Sequence, residues 1–364
     1  MDTFFIYTFL RMKIVLVNNE SQDFSARDVP WEGHTIRFSS VGFGDIASGL
    51  GSTDPDIRIN RESLDLLVSE TLDADAIYCE SPEALLLWYV FRKRSGGGPP
   101  FVMEDEDVLW RVTSLAAWIA KVYREDVLAD FLADPANVWL HHNSAHRGRF
   151  LDAGLDPDRL FHLPCSSYLI SLVSPQSYAR LRNFSPIATD PDVLAMKDSV
   201  LCPGANRRDY AAFAAATRGL PANAWILGHR GTPLPDSGHV RWKGFVPLDD
   251  FLDALALAGI VVVPMLDEAL GGGENTLSFS MALGKPVVAT DTAATRELIL
   301  SGEDGLLVPA GDAAALRAAV MFLADAPEQA ALMGENARER ERGIASLTRK
   351  TLLRAFRLAA KAPK

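Results

Sequence analysis

Two adjacent arginines, Arg207 and Arg208, follow the apolar run SVLCPG and stand directly before a helical pattern that opens at Asp209. Paired guanidiniums at the carboxyl end of a strand suit the bidentate neutralisation of a phosphate or diphosphate. The competing reading is a solvated charge pair ahead of a helix N-cap. A second candidate is GGGENTLSFSMALGKPVVATD, residues 271–291, where Gly272 and Gly273 lead through Glu274, Asn275 and Thr276 into a helix that contains Ser280. Glycines let backbone approach a ligand closely, and a helix start offers unpaired N–H groups and the positive end of the dipole. The same residues also suit an ordinary glycine-rich turn. A third is the strand-end turn Lys243-Gly244-Phe245-Val246, in which Gly244 permits close approach and Phe245 supplies an aromatic face.

The first half holds two further clusters. Met-Glu-Asp-Glu-Asp at 103–107 puts four acids at the end of a buried strand, where Asp105 or Asp107 can serve as general base towards a hydroxyl. Runs of acids are otherwise solvated faces. His141-His142-Asn143-Ser144 followed by His146 ends the next strand, and His142 is a candidate base or sugar contact. The spacing lacks the cysteines or distant ligand pair of a zinc site. No metal is expected where arginines and a helix start can carry the positive charge, and no cofactor is expected.

The elements that must position these residues follow from composition and pattern. The chain has 364 residues, 48% hydrophobic and 23% charged, which suits two globular domains. A net charge of −11 excludes a non-specific nucleic-acid binder, which needs a basic footprint. Cys79, Cys165 and Cys202 are odd in number and widely spaced, so they read as buried small hydrophobes in a reducing, cytoplasmic compartment. MDTFFIYTFLR at the start is too short to span a bilayer and reads as an extension before the strand KIVLVNN.

Short apolar runs alternate with helical patterns, the signature of doubly wound parallel sheets. The first series of strands is KIVLVNN, HTIRFSS, AIYCE, PFVMED, VWLHH and LFHLP; the second is SVLCPG, AWILGH, VRWKGF, GIVVVPM, PVVATD and GLLVPA. Helices are expected at 63–72, 82–94, 115–132 and 145–153, then at 209–217, 248–258, 277–283, 295–301 and 313–324. Between the two series, Pro175, Pro186 and Pro191 interrupt a stretch without periodicity. The organisation expected is a first domain over 1–178 with 1–11 as extension, a linker over 179–198, and a second domain over 199–342. A helix over 343–364 returns to the first domain. Its basic, amphipathic sequence also permits peripheral contact with a membrane surface.

The order Val-Pro-x-x-x-Glu, glycine-rich loop, helix, ALGKPVVAT, Glu297-Leu-Ile and GEDGLLVPAGD resembles the C-terminal domain of GT-B glycosyltransferases, those of family four in particular, over residues 199–342. The resemblance implies an α/β GT-B fold of two Rossmann-like domains facing a cleft. It implies transfer of a sugar from a nucleotide-diphosphate sugar, a UDP or GDP sugar, to an acceptor hydroxyl held by the first domain. It also implies a metal-independent reaction, with retention of configuration the family's habit, in polysaccharide, glycolipid or glycoconjugate synthesis. Arg207 and Arg208 would meet the donor phosphates, and Gly244, Phe245 and Val246 match the turn that reads the nucleobase edge. The family carries two glutamates, seven residues apart, immediately before Ala-Met-Ala-x-Gly-Lys-Pro. The aligned places here hold Gly272 and Ser280, and Glu274, two positions on, is placed to take over a polar role. The departure keeps two other readings open: a sugar-nucleotide epimerase or hydrolase on the same fold, and a non-catalytic binding homologue.

Overall fold

The computed structural model describes residues 12–17, 27–38, 47–48, 58–79, 84–104, 108–228, 238–266 and 272–361. Contacts divide the chain into two units. One comprises residues up to His142, His146–Leu163 and the C-terminal Lys350–Lys364; the other comprises Asn143–Ala145 and Pro164–Arg349.

The first unit is built on β1 (Lys13–Val17), β2 (Arg27–Trp31), β3 (His34–Phe38), β6 (Ala76–Cys79), β7 (Phe101–Glu104), β8 (Val138–His141) and β9 (Leu160–His162), in the order β2-β3-β1-β6-β7-β8-β9. A separate two-stranded ladder pairs β4 (Ala47–Ser48) with β5 (Arg58–Ile59). Every pairing in the larger sheet is parallel except β2 with β3. That hairpin was not foreseen. It turns through Glu32 and Gly33, both at positive φ (47° and 80°), a two-residue connection that matches the natural twist of paired strands. The inner strands β6, β7 and β8 are buried at every position, as strands covered on both faces must be. Tyr78, Phe101, Phe131, Trp139, Phe150 and Phe356 fill the core, with Phe356 edge-on to Trp31 and Tyr78.

The expected helix over 115–132 is instead two, Val108–Tyr123 and Leu128–Leu132. The break falls at Arg124, whose φ of 59° no α-helix can contain.

The second unit is a six-stranded, wholly parallel sheet of β10 (Val200–Pro203), β11 (Ala224–Leu227), β12 (Val240–Lys243), β13 (Ile260–Val263), β14 (Val287–Thr290) and β15 (Leu306–Val308). Their order is β12-β11-β10-β13-β14-β15. Counted from β10 as first, this is the 3-2-1-4-5-6 order of a doubly wound fold, and it reverses between β10 and β13.

The stretch expected as a linker over 179–198 is part of this unit. Pro175 and Pro191 open the helices Pro175–Arg182 and Pro191–Leu194, occupying the first-turn positions where the missing N–H is harmless. Leu181, Val193 and Met196 are buried in the unit's core. Arg180 pairs with Asp249 and with the fully buried Asp253, whose second oxygen accepts from the Ile187 amide at 3.1 Å. Two of the three prolines that suggested a flexible joint are helix starts, and Pro186 lies in the connection between them.

The long helix Pro327–Ala359 contributes Ala330, Met333 and Ala337 to the second unit's cores, and its residues from Lys350 onward belong to the first unit. No helix among the described residues is long and apolar enough to cross a membrane.

Candidate functional site

The loops that follow β10 and β13 lie at the reversal of strand order, where ligands of open α/β sheets bind. They are stitched together by backbone. The Leu266 amide donates to Arg207 O at 3.0 Å and the Asp209 amide to Pro264 O at 2.9 Å, so Arg208 and Met265 form an isolated antiparallel bridge. Two residues make the tight turn after β10 possible. Gly204 takes a φ of 94°, and Arg207 itself sits in the left-handed region at 54°. Asp209 then caps the helix Tyr210–Thr217 by accepting from the Ala212 amide, and the Tyr210 hydroxyl donates to Gly204 O at 2.7 Å.

Within this stitched turn the two arginines differ. Arg207 is half-buried, whereas Arg208 is 6% exposed. The Arg208 guanidinium donates from Nε to Pro203 O (2.9 Å), from Nη1 to Asn206 O (3.0 Å) and Met265 Sδ (3.1 Å), and from Nη2 to Thr276 Oγ1 (3.3 Å). Four of its five N–H groups are directed at neutral acceptors, and none meets a carboxylate among the described residues. Burial pulls this guanidinium below its ordinary value, with Glu274 opposing from a distance. A buried cation answered only by neutral groups is electrostatically incomplete, and an arriving anion completes it. Beneath it, burial pushes the Cys202 thiol up to about 12, so Cys202 packs and does not react.

The glycine pair lies directly over that cation. Gly273 has a φ of 85°, and a Cβ there would meet Val263 Cγ1 at 2.7 Å and the Arg208 Nη atoms at 3.2 and 3.3 Å. Gly272 has a φ of 149°, and its amide donates to Glu274 Oε1 at 2.7 Å. The helix Glu274–Ala282 begins here, and its first α-type bond runs from Leu277 N to Gly273 O. The amides of Glu274, Asn275 and Thr276 therefore have no helical carbonyl, and the positive end of the helix faces the loop. Thr276 is buried against Arg208, and exposed Asn275 accepts from the Cys165 thiol at 3.1 Å. Glu274 is thus a cap of its own loop.

Ser280 does not belong to this set. It is fully buried, and its hydroxyl donates back to Thr276 O at 2.7 Å. Ser280-Met281-Ala282-Leu283-Gly284-Lys285-Pro286 is the counterpart of Ala-Met-Ala-x-Gly-Lys-Pro, so Ser280 takes the place of a core alanine. The second glutamate's place falls on Phe279, half-buried against the core, and the first on Gly271, outside the described residues.

At the end of β12, Gly244 has open space where a Cβ would be, and its carbonyl accepts from the Gly228 amide at 3.2 Å. Phe245 is 59% exposed, and Val246 packs against the core. The turn is anchored by Lys243, which pairs with Asp190 (2.8 Å) and Asp192 (2.9 Å) and is raised above its ordinary value by those bonds. An aromatic ring is thereby presented on a fixed turn.

In the first unit, Asp105 and Asp107 lie outside the described residues. His142 departs from the base expected of it. Its Nδ1 lies 2.8 Å from Leu163 O and its Nε2 lies 2.6 Å from Glu104 Oε1. Both ring nitrogens lie within hydrogen-bond distance of an oxygen of the protein, so the ring is held by two partners of its own unit. The group left over is on the partner. Glu104 is 5% exposed and its Oε2 is buried without a hydrogen-bond partner among the described residues. Glu104 is the first acid of the run and the last residue of β7. Its one distinguishing signal was that β7 and β8 place 104 and 142 at neighbouring strand ends.

Asp291 and Glu297, near the same loops in sequence, have structural partners. Asp291 is held bidentately by Arg296, and Glu297 Oε1 accepts from the amide of Ser144 at 2.8 Å and from its hydroxyl.

Residues 208–326 match the family model described as glycosyl transferases group 1. Among curated proteins, the chain is 40% identical over 88 residues (23% of this chain, 22% of the relative) to the phosphatidyl-myo-inositol mannosyltransferase of Mycobacterium leprae. It is 33% identical over 126 residues (34% and 31%) to the D-rhamnosyltransferase WbpZ of Pseudomonas aeruginosa. The chain thus spans less than a third of the length of these relatives. Among solved structures, Anabaena HepE in complex with UDP-glucose is similar over 94% of this chain and all of that one, at a TM-score of 0.58 and 15% identity. Residues 208–326 are accordingly similar to glycosyl transferases group 1, and the chain that carries them has the GT-B fold.

Proposed function

We propose that the chain moves a sugar from a UDP or GDP sugar to an acceptor hydroxyl, with the second unit holding the donor. The observation that carries this reading is Arg208, a buried guanidinium with no carboxylate partner among the described residues, lying under Gly273 beside the open amides of a helix start. Departure of a nucleoside diphosphate concentrates negative charge on the β-phosphate. A fixed cation and preoriented N–H donors stabilise that charge without reorganising. Arg207, from the same turn, adds a second positive group. Phe245 offers a face on which a nucleobase can stack. UDP is the first donor nucleotide to test, because HepE, a protein of the same fold, was captured with UDP-glucose.

Because the arginines and helix start supply the positive charge, the reaction is read as metal-independent; retention of configuration is carried over from the resemblance to family four alone. Products that help to build a polysaccharide, glycolipid or other glycoconjugate fit the mannosyl- and rhamnosyltransferase relatives.

The test is a thermal-shift titration with UDP, GDP and ADP, followed by turnover of the matching nucleotide sugars with and without acceptors. A ligand at about 100 times its dissociation constant stabilises the folded state by about 2.7 kcal/mol. A folded protein whose melting temperature none of these nucleotides moves contradicts the donor assignment. Loss of turnover in EDTA contradicts metal independence, and the product's anomeric configuration by NMR decides stereochemistry.

A further inference from the structure

Cys165 stands in the segment after β9 and is 5% exposed. The residues on either side of it are fixed within the same unit. Pro164 O accepts from the Thr348 hydroxyl at 2.7 Å, and the Ser167 amide and hydroxyl donate to Glu341 Oε1 at 3.0 and 2.6 Å. A thiol between two such anchors has little freedom to move. Its proton is directed at Asn275 Oδ1, 3.1 Å away, across 110 residues of sequence.

Asn275 is the second residue of the helix Glu274–Ala282. Thr276 and Leu277, which follow it, are buried, whereas Asn275 is exposed on the opposite side of the first turn. A carboxamide has an accepting end and a donating end. The accepting end is taken by the thiol, and the residue's backbone carbonyl accepts from the Ser278 hydroxyl at 3.0 Å. Nδ2 has no partner among the described residues, so its N–H groups are unspent. The last torsion of an asparagine is broad and roughly two-fold, so an exposed carboxamide left to itself presents either end. Here the two ends have opposite consequences. They stand at the positive end of a helix, beside the open amides of Glu274, Asn275 and Thr276, and Thr276 is tied to Arg208. An N–H group at that place attracts an anionic oxygen, and a carbonyl oxygen repels it. The thiol decides which of them faces outward.

We infer that Cys165 is a positioning residue of the donor site: by holding Asn275 Oδ1 it aims Asn275 Nδ2 at the β-phosphate of a bound nucleoside diphosphate. The assignment rests on the transferase reading and extends the site to a residue that no loop around Arg208 contains.

The test is calorimetric titration of the full chain with UDP and UMP, or with GDP and GMP should guanosine be the base that binds. The preference for diphosphate over monophosphate isolates the β-phosphate, and any loss of folded protein cancels because both are measured on one sample. Asn275→Ala should lower that preference about tenfold, and Cys165→Ala about threefold, as loss of a charge-assisted and of a neutral hydrogen bond respectively. Cys165→Ser, whose hydroxyl also donates, should restore most of it. In the Asn275→Ala background, Cys165→Ala should cost nothing more, since the residue it orients is gone. An undiminished preference in Cys165→Ala overturns the inference alone, as does a failure of Cys165→Ser to exceed it. Losses that add in the double variant assign Cys165 to general packing and overturn it likewise. A parent chain that shows no preference for either diphosphate overturns the donor reading, and the role of Cys165 falls with it.

Discussion

Arg208 Nη2 donates to Thr276 Oγ1 at 3.3 Å, tying the turn after β10 to the first turn of the helix behind the glycine pair. The contact joins residues 68 apart in sequence and makes one object of two motifs. The arginine turn and the glycine loop are each unremarkable alone; joined, they put a buried positive charge beneath a backbone that a ligand can touch.

Removing that charge should separate binding from folding. In Arg208→Met a side chain of similar length keeps the packing and eliminates a cation that burial already disfavours, so the fold should survive. Charge-assisted hydrogen bonds contribute about 1.5–3 kcal/mol, so affinity for UDP should fall by roughly tenfold to 150-fold. Calorimetry checks this, and UDP affinity equal to that of the parent chain removes Arg208 from the donor site.

Gly273→Ala should damage the loop itself. The new methyl group meets Val263 Cγ1 at 2.7 Å on a backbone with φ of 85°, and strain of this kind costs about 1–3 kcal/mol. Gly244→Ala is the control, because nothing lies within 4 Å of its added Cβ. Urea denaturation should show a clear loss for the first and little change for the second. Equal stabilities would mean the loop adjusts without cost.

Much of this could be read from the residue string, and what could not has physical reasons. The twelve expected strands are all present because parallel strands buried on both faces are unbroken apolar runs. Pro175 and Pro191 misled, since proline marks a helix start as readily as a joint, and only the packing of Leu181 and Val193 tells which. Arg207 and Arg208 looked equivalent; burial distinguishes them, and burial depends on Thr276 and Met265, far along the chain. His142 and Ser280 share one lesson. A residue type shows what a side chain can do, whereas the partners that use up that capacity, Leu163 O with Glu104 for one and Thr276 O for the other, come from folding.

Glu104→Gln tests the carboxylate that His142 holds. The amide keeps the size and an oxygen for His142 Nε2 but loses the charge at Oε2, the only oxygen of that group without a partner. If Glu104 takes the proton of an acceptor hydroxyl, transfer should fall by about 10²–10⁴-fold, with UDP affinity unchanged. His142→Asn should reduce transfer less, since it removes the support and not the group. Full transfer activity in Glu104→Gln would leave the pair a structural one.

The pH dependence of stability should carry the mark of Glu341. Burial raises its carboxyl above the ordinary value of 4.5, outweighing the Ser167 bonds that lower it. The folded state therefore binds this proton more tightly than the unfolded chain does, and stability contributed by the protonated form is lost as pH rises. The loss begins near 4.5 and is complete once pH exceeds the raised folded value. Asp304, also raised by burial, adds a slope of the same sign, so the wild-type curve alone does not isolate Glu341. The difference curve does. Glu341→Gln cannot ionise, so it should match wild type below pH 4.5 and become progressively more stable than wild type above it, reaching a constant margin at neutral pH. Urea midpoints measured across that range provide the check, and a margin that is flat with pH, or that grows toward acid, contradicts the raised carboxyl.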